Sequence, residues 1–316
     1  MNNQNEKMAE KRDLIIIGSG PSGLSAALYA ARADLHPLVL TGMILHGQAS
    51  VTDIIENYPG FPEGIGGSEL GLLFQTQAER FGAEIQLDEM TSVDLSHRPF
   101  IVKTYSKHYS AKALIISTGA THRKLGVPGE KEFVGKGISY CGTCDGWFFK
   151  EKDIVVIGGG DSALEEGLFL TRFAKSVTVI HRRDELRAGA ILQKRAFSNP
   201  KFSFIWDSVV TEILGNASVN AVRLKNVKTG EERIHPTDGV FIFIGNTPNS
   251  EMFIGQLETD ENGYIIIDKH METSVPGVFA AGEVADPDFR QVITSAGMGA
   301  AAAIQATRYL ERIEED

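Results

Sequence analysis

The chain has 316 residues, enough for about two domains of ordinary size, and its 42% hydrophobic and 23% charged composition is that of a globular protein with sizeable cores. A net charge of −10 excludes a general nucleic-acid binder, because no basic field would release counterions from phosphates. No apolar run approaches the ~20 residues needed to span a bilayer, and the polar first thirteen residues do not form a secretory signal.

Residues 1–11 read as a disordered tail. Leu14-Ile15-Ile16-Ile17 is then a short buried-type strand, running directly into Gly18-Ser19-Gly20-Pro21-Ser22-Gly23 and an Ala- and Leu-rich helix over residues 24–33. Gly-x-Gly-x-x-Gly between a strand and a helix predicts nucleotide binding. Gly18 permits the tight turn, Gly20 lets a pyrophosphate approach the backbone, and Gly23 lets helix and strand pack closely. The next strand, Pro37-Leu38-Val39-Leu40, ends at Thr41-Gly42, with neither the acid of an NAD site nor arginines for NADP. That leaves FAD open. Ala113-Leu114-Ile115-Ile116 is another buried strand, ending in Ser117-Thr118-Gly119-Ala120.

Both cysteines of the chain lie in Cys141-Gly142-Thr143-Cys144, followed at once by Asp145. In a Cys-x-x-Cys turn one thiol commonly has a lowered pKa, so the dithiol can attack another disulfide and then resolve the mixed intermediate. Asp145 could supply or remove the proton each transfer needs. Structural zinc would need four ligands, yet there are no further cysteines and the eight histidines are scattered. A structural disulfide closing so short a loop would remove little unfolded-state entropy. The expectation is a redox dithiol with no metal and, without an export signal, a reducing cytoplasm. Trp147-Phe148-Phe149 follows, either as ordinary core or as an exposed anchor for a partner.

The nucleotide pattern then recurs. Ile154-Val155-Val156-Ile157 leads into Gly158-Gly159-Gly160-Asp161-Ser162-Ala163 and a helix from Leu164 to about Phe173. Its second strand, Val177-Thr178-Val179-Ile180, ends in His181-Arg182-Arg183, with Arg187 one turn on. An acid there would bond a free 2′-hydroxyl, whereas an arginine cluster fits a 2′-phosphate, so this site reads as NADPH. Val240-Phe241-Ile242-Phe243-Ile244-Gly245 is a further strand, and residues 277–283 lead to an Ala-rich helix from Thr294 to near Glu311. The positive end of that helix would stabilise an anionic reduced flavin if it faced the ring. The fold class expected is α/β, with two nested, Rossmann-like, three-layer dinucleotide-binding domains. The first spans residues 12–120 and 250–316. The second, at 121–249, is inserted into it and carries the dithiol.

In order, residues 18–23, Ile55-Glu56-Asn57-Tyr58-Pro59-Gly60, Thr118-Gly119-Ala120, residues 141–145, residues 158–163, His181-Arg182-Arg183, and Arg290-Gln291 with Thr294-Ser295-Ala296-Gly297 form one collinear set. The set resembles the low-molecular-weight, bacterial- and plant-type thioredoxin reductases over residues 12–312. The resemblance implies a homodimer that passes electrons from NADPH through FAD to its Cys-x-x-Cys and on to thioredoxin, rotating the inserted domain between two arrangements. It implies FAD contacts from Ser19, Gly20, Ser22, Thr41, Gln48, Asn57, Thr118, Gly119, Gly282, Glu283, Arg290, Gln291 and Val292. It implies NADPH contacts from Gly158, Gly160, Asp161, Ser162, His181, Arg182, Arg183 and Arg187. Cys144 would be the cysteine nearest the flavin, Cys141 its partner and Asp145 the acid/base. Arg123, Trp147, Phe148 and Phe149 would meet thioredoxin.

Three positions depart from the family pattern: Glu283 where Asp is usual, Ala49-Ser50-Val51 in place of Leu-Thr-Thr, and Asn246 where His is common. None removes a reacting group. A flavin reductase for another disulfide partner is the near rival. Its alkyl hydroperoxide reductase form carries an extra N-terminal domain, and only thirteen residues precede the first strand here. A ferredoxin-dependent relative would have no use for the arginine cluster. A non-catalytic nucleotide-binding redox sensor would have little reason to combine two dinucleotide sites with a dithiol.

Overall fold

The computed structural model describes residues 9–52 and 54–315. The chain forms two compact units: a flanking unit, up to Thr121 and again from Thr247, and an inserted unit, His122–Asn246. The flanking unit starts with β1 (Glu10–Ile17), α1 (Pro21–Arg32), β2 (Leu38–Leu40), α2 (Gly67–Arg80), β3 (Glu84–Gln86), β4 (Met90–Asp94), β5 (Phe100–Thr104) and β6 (His108–Ile116). After β7 (Ala120–His122) come β8 (Ile138–Ser139), the single turn α3 (Gly142–Asp145), β9 (Asp153–Ile157), α4 (Asp161–Leu170), β10 (Ser176–Ile180) and α5 (Ala190–Ser198). The inserted unit closes with β11 (Phe202–Ile205), β12 (Ser208–Gly215), β13 (Val219–Asn226), β14 (Glu232–Pro236) and β15 (Gly239–Ile242). β16 (Asn246–Pro248) pairs with β7, and β17 (Val278–Ala280) and α6 (Val292–Glu315) complete the flanking unit.

β1 begins at Glu10, earlier than the expected tail boundary. Glu10 and Lys11 are strand residues in register with Tyr109 and Ser110 of β6, while residues 1–8 lie outside the described residues. α1 likewise starts before its apolar run, because Pro21 presets φ at the first helical position, where its missing N–H costs nothing.

The flanking sheet runs β3-β2-β1-β6, with all of these neighbours parallel. The far edge of β6 serves two partners. Its His108–Ala111 end pairs antiparallel with β5, and its Leu114–Ile116 end pairs parallel with β17. Side-chain alternation along β1 sorts the layers. Leu14 and Ile16 join Ala26, Ala27 and Ala30 of α1 and Ala302, Ala303 and Ala306 of α6, whereas Ile15 and Ile17 pack against Phe100, Val102 and Tyr109 on the other face. Small residues let the two helices lie close: a Cβ at Gly299 would fall 1.9 Å from the Ser22 carbonyl oxygen.

The inserted unit repeats the plan with a parallel sheet in the order β11-β10-β9-β15-β8, to which the antiparallel β12-β13-β14 is added. Ile154 and Val156 of β9 face α4, and Val155 and Ile157 face Val210, Ile213 and Val222. In both sheets the strand order reverses beside the strand that leads into the glycine-rich turn, which opens a crevice at the carboxyl ends of β1/β6 and of β9/β15.

Candidate active site

At the end of β1 the chain turns at Gly18 (φ +109°), where a Cβ would lie 2.3 Å from the Ser117 carbonyl; at Gly23 it would lie 2.0 Å from the Gly18 carbonyl. Only glycine permits both approaches. The first turn of α1 has Gly20 as its N-cap, no side-chain cap and no acidic residue, so its N–H groups are open to an anion. The Ser22 hydroxyl is buried with no hydrogen-bond partner among the described residues. An orphaned hydroxyl beside bare helix-end N–H groups fits a dinucleotide pyrophosphate.

Most of the expected FAD residues gather around this turn. Ser19 is buried, its hydroxyl donating to the Thr41 carbonyl (3.4 Å) and accepting from the His46 N–H (3.2 Å), so Ser19 ties the end of β2 to the turn. Gly47, one residue before Gln48, packs on Gly20. Gly282 (φ +79°) would meet the Ser22 side chain at 2.9 Å with any Cβ. Thr118 donates to the Asn249 carbonyl (2.7 Å) and its own carbonyl accepts from the Asn249 amide (2.8 Å), which holds Gly119 (φ +70°) in place. Asn57 donates to the Gln291 side chain at 3.1 Å.

Burial pushes the Glu283 carboxyl above the usual range, with Arg290 pulling the other way. Glu283 is half-buried where the chain leaves β17. Asp286 organises the next turn. Its buried carboxylate accepts from the N–H groups of Asp288 and Phe289 (3.0 Å each) and of Arg290 (3.3 Å), and Arg290 adopts φ +51°. Arg290 and Gln291 are thereby delivered to the start of α6. The Val292 side chain packs into a small cluster with Ile55, Ile65 and Leu70, so what it can offer a ligand is its backbone.

In the inserted unit Gly158 (φ +153°) repeats the tight approach, 2.5 Å from the Phe243 carbonyl for any Cβ. Gly160 is the N-cap of α4. The Asp161 carboxylate accepts from the Gly189 N–H (2.7 Å), while the N–H groups of Arg187 and Ala188 donate to the Gly159 carbonyl (2.7 and 3.2 Å). Residues 187–189 are thus clamped onto the loop that opens α4 and leads to Ser162. Arg182, Arg183 and Arg187 are exposed at the carboxyl end of β10. His181 is instead buried against Gly159, and burial followed by the charges of Arg187, Arg182 and Arg183 pushes its pKa down. A neutral His181 is packing for the loop, although its Nε2 has no partner among the described residues.

Cys141 and Cys144 are joined as a disulfide across α3, with Cα atoms 5.3 Å apart. The Cys144 N–H donates to Cys141 Sγ at 3.2 Å, and the Thr143 hydroxyl lies 3.4 Å from the same sulfur. Ser139 holds the approach, accepting from the Cys141 N–H and donating to its carbonyl, both at 3.0 Å. Burial pushes the Asp145 carboxyl up, against the opposing pull of the Ser139 hydroxyl. Trp147 (56%) and Phe148 (46%) are exposed, but Phe149 is not. Its ring stands edge-on to Phe241 at 4.9 Å and covers Gly239, so the expected aromatic triad is a pair and Phe149 belongs to the core. Arg123 is exposed against Gly245 on a separate segment. The departure at Asn246 is accommodated by a 2.8 Å hydrogen bond to His122.

Ser117, Ser139, Asn249 and Asp286 were not among the expected site residues. Of these only Asp286 left a trace, in the Asp-Pro-Asp turn composition of residues 286–288.

The description of the matching family is pyridine nucleotide-disulphide oxidoreductase, over residues 12–303. The thioredoxin reductase of Streptomyces coelicolor is 50% identical over 312 residues, covering 98% of this chain and 97% of the relative. Among solved structures, the thioredoxin reductase of Streptococcus pyogenes matches with a TM-score of 0.91 and 48% identity, covering 96% of this chain and 99% of its own. That of Giardia duodenalis matches with a TM-score of 0.90 and 40% identity over 96% and 99%.

Proposed function

Because this chain belongs to the thioredoxin reductases, within the pyridine nucleotide-disulphide oxidoreductase family, we propose that it passes two electrons from NADPH, by way of FAD, to the Cys141–Cys144 disulfide and on to oxidised thioredoxin. The observation that carries this reading is the disulfide beside the half-buried Asp145, in the same unit as a glycine-rich loop that Arg187 approaches at Gly160, with Arg182 and Arg183 exposed at the end of the neighbouring strand β10. Bound FAD supplies the two-electron relay between nicotinamide and disulfide. The groups we assign to hold it are the α1 N-terminus with Ser22, the Thr118–Gly119 turn, Gly282–Glu283 and Arg290–Val292, with Gln48 and Asn57 beside them. The three arginines are the donors for a 2′-phosphate.

On the thiol side, the N–H and hydroxyl aimed at Cys141 Sγ favour its thiolate. The Cys141 thiolate attacks one sulfur of the thioredoxin disulfide, whose S–S bond breaks and whose departing thiolate takes a proton from Asp145. Cys144 returns that proton to Asp145, attacks Cys141 Sγ and releases the second thioredoxin sulfur, and the Cys141–Cys144 bond re-forms. Trp147 and Phe148 are the exposed anchors for thioredoxin. Between half-reactions the inserted unit changes its orientation, so that dithiol and nicotinamide use the flavin in turn. A second copy of the chain covers the exposed Met43, Ile44, Leu45, Leu72 and Leu73, whose segments meet where Gly71 packs on His46. A reducing cytoplasm suits a dithiol regenerated in every cycle.

Anaerobic NADPH titration of the purified protein is expected to bleach a yellow flavin spectrum. Cys141→Ser and Cys144→Ser should bleach equally and lose thioredoxin reduction. Substantial thioredoxin turnover by either serine variant would sink the assignment.

A further inference from the structure

Around the arginines, acids are as numerous as bases. Residues 182–187 with Asp207 contain three arginines and three carboxylates, so this rim of the inserted unit is electrically neutral by itself. Asp184 follows Arg183 directly, and the Asp207 N–H donates to the Arg183 carbonyl at 3.2 Å, so two of the carboxylates sit beside the arginine pair. Either could pair with a guanidinium in place of a ligand phosphate. Among the described residues, however, Arg182, Arg183 and Arg187 make no ion pair with them.

Both acids are taken instead by Lys228, whose Nζ lies 2.6 Å from Asp184 and 3.0 Å from Asp207. Lys228 is carried on a hydrogen-bonded turn. It stands in the turn after β13, where Asn226 Oδ1 accepts from the N–H groups of Lys228 and Thr229 (2.9 Å each) and the Val227 N–H donates to the Asp207 carbonyl at 2.6 Å. Contact with Lys228 holds the Asp184 carboxyl below the usual range, so it is ionised and engaged at neutral pH.

We propose that Lys228 is a positioning residue for coenzyme choice: by engaging Asp184 and Asp207 it leaves Arg182 and Arg183 available to the 2′-phosphate of NADPH and makes the rim net positive. This rests on the reading of residues 181–187 as the 2′-phosphate site. As an exposed ion pair the contact contributes little to stability. Its effect is on the field and on the competition at the arginines.

Calorimetric binding of 2′,5′-ADP and of 5′-AMP to the full chain separates the possibilities without reference to turnover. The unsubstituted protein should bind 2′,5′-ADP the more tightly. Lys228→Met should weaken 2′,5′-ADP about three- to tenfold, leave 5′-AMP unchanged, and lose most of this effect at high salt. Asp184→Asn should recover at least half of the loss when added to Lys228→Met and cause none when made alone. A brace for the turn predicts the reverse, since Asp184→Asn breaks the same contact and would copy Lys228→Met. Unchanged 2′,5′-ADP affinity in Lys228→Met, or equal losses in the two single variants, overturns the role of Lys228 while the 2′-phosphate reading stands. Equal binding of the two nucleotides by the unsubstituted protein overturns both.

Discussion

The Asp145 carboxyl keeps its proton to higher pH than an exposed aspartate, because burial disfavours its charge and the Ser139 hydroxyl only partly offsets this. The folded state therefore binds this proton more tightly than the unfolded chain does. Its contribution to stability is fully present below the unfolded-chain pKa and is lost as pH rises through the raised folded value. Asparagine carries no charge to bury. Asp145→Asn should accordingly melt at a higher temperature than the parent at neutral pH, with the difference vanishing in acid, while thioredoxin turnover falls about tenfold or more. A parallel drop in melting temperature at all pH values would show a broken hydrogen-bond network instead of a relieved charge. The acid itself was legible in the sequence because it adjoins the dithiol. Ser139 was not, since its role lies in two hydrogen bonds to the Cys141 backbone that no spacing encodes. The aromatic run was half legible: three consecutive residues cannot all face one way, and Phe149 is the one turned onto Phe241.

Among the elements, the crossing of α1 and α6 couples packing to the cofactor. Gly299 has the Ser22 carbonyl where a Cβ would go, and Ser22 carries the orphaned hydroxyl of the turn. Gly299→Ala must push the helices apart, at a cost of about 1–3 kcal/mol. It should also lower the flavin retained through purification, because α6 begins directly after Arg290 and Gln291. Gly297, on the exposed side of the same helix, has open space where its Cβ would go. Gly297→Ala should leave flavin content unchanged and raise stability by about 0.5–1 kcal/mol. Equal flavin loss in both variants would mean that helix propensity, not the crossing, governs the site.

The central strands of the two parallel sheets, β1, β2, β9, β10 and β15, could be read from sequence because they are continuous apolar runs, whereas the short outer strands β3, β8 and β11 could not. β4, β5 and β12 to β14 could not be, since their polar, part-exposed residues alternate weakly and are held by partners distant in the chain. β6 shows the limit within one strand. Its apolar end, Ala113 to Ile116, is evident, but His108 to Ser110 become strand only through pairing with β5 and β1.

For the molecule as a whole, the proposed cycle needs the two units to reorient. A cross-link between them that preserves flavin content and NADPH binding should permit at most a single half-reaction and abolish multiple turnovers, as read by stopped-flow spectroscopy. Turnover of the linked protein at the parent rate would require a static route for the electrons.

The shared edge of β6 also sets an order of events during synthesis. A chain leaving the ribosome exposes β6 while β17 is still unmade, because all of His122–Asn246 is translated between them. That stretch is unbroken, so every strand of its sheet is present once β15 has emerged. The flanking unit meanwhile waits, with Leu114 to Ile116 unpaired along one edge and the alanine face of α1 bare until α6 arrives. The inserted unit is thus the first whose strands are all available to one another. A nascent chain halted before Val278 carries an open strand edge of the kind that recruits wrong partners.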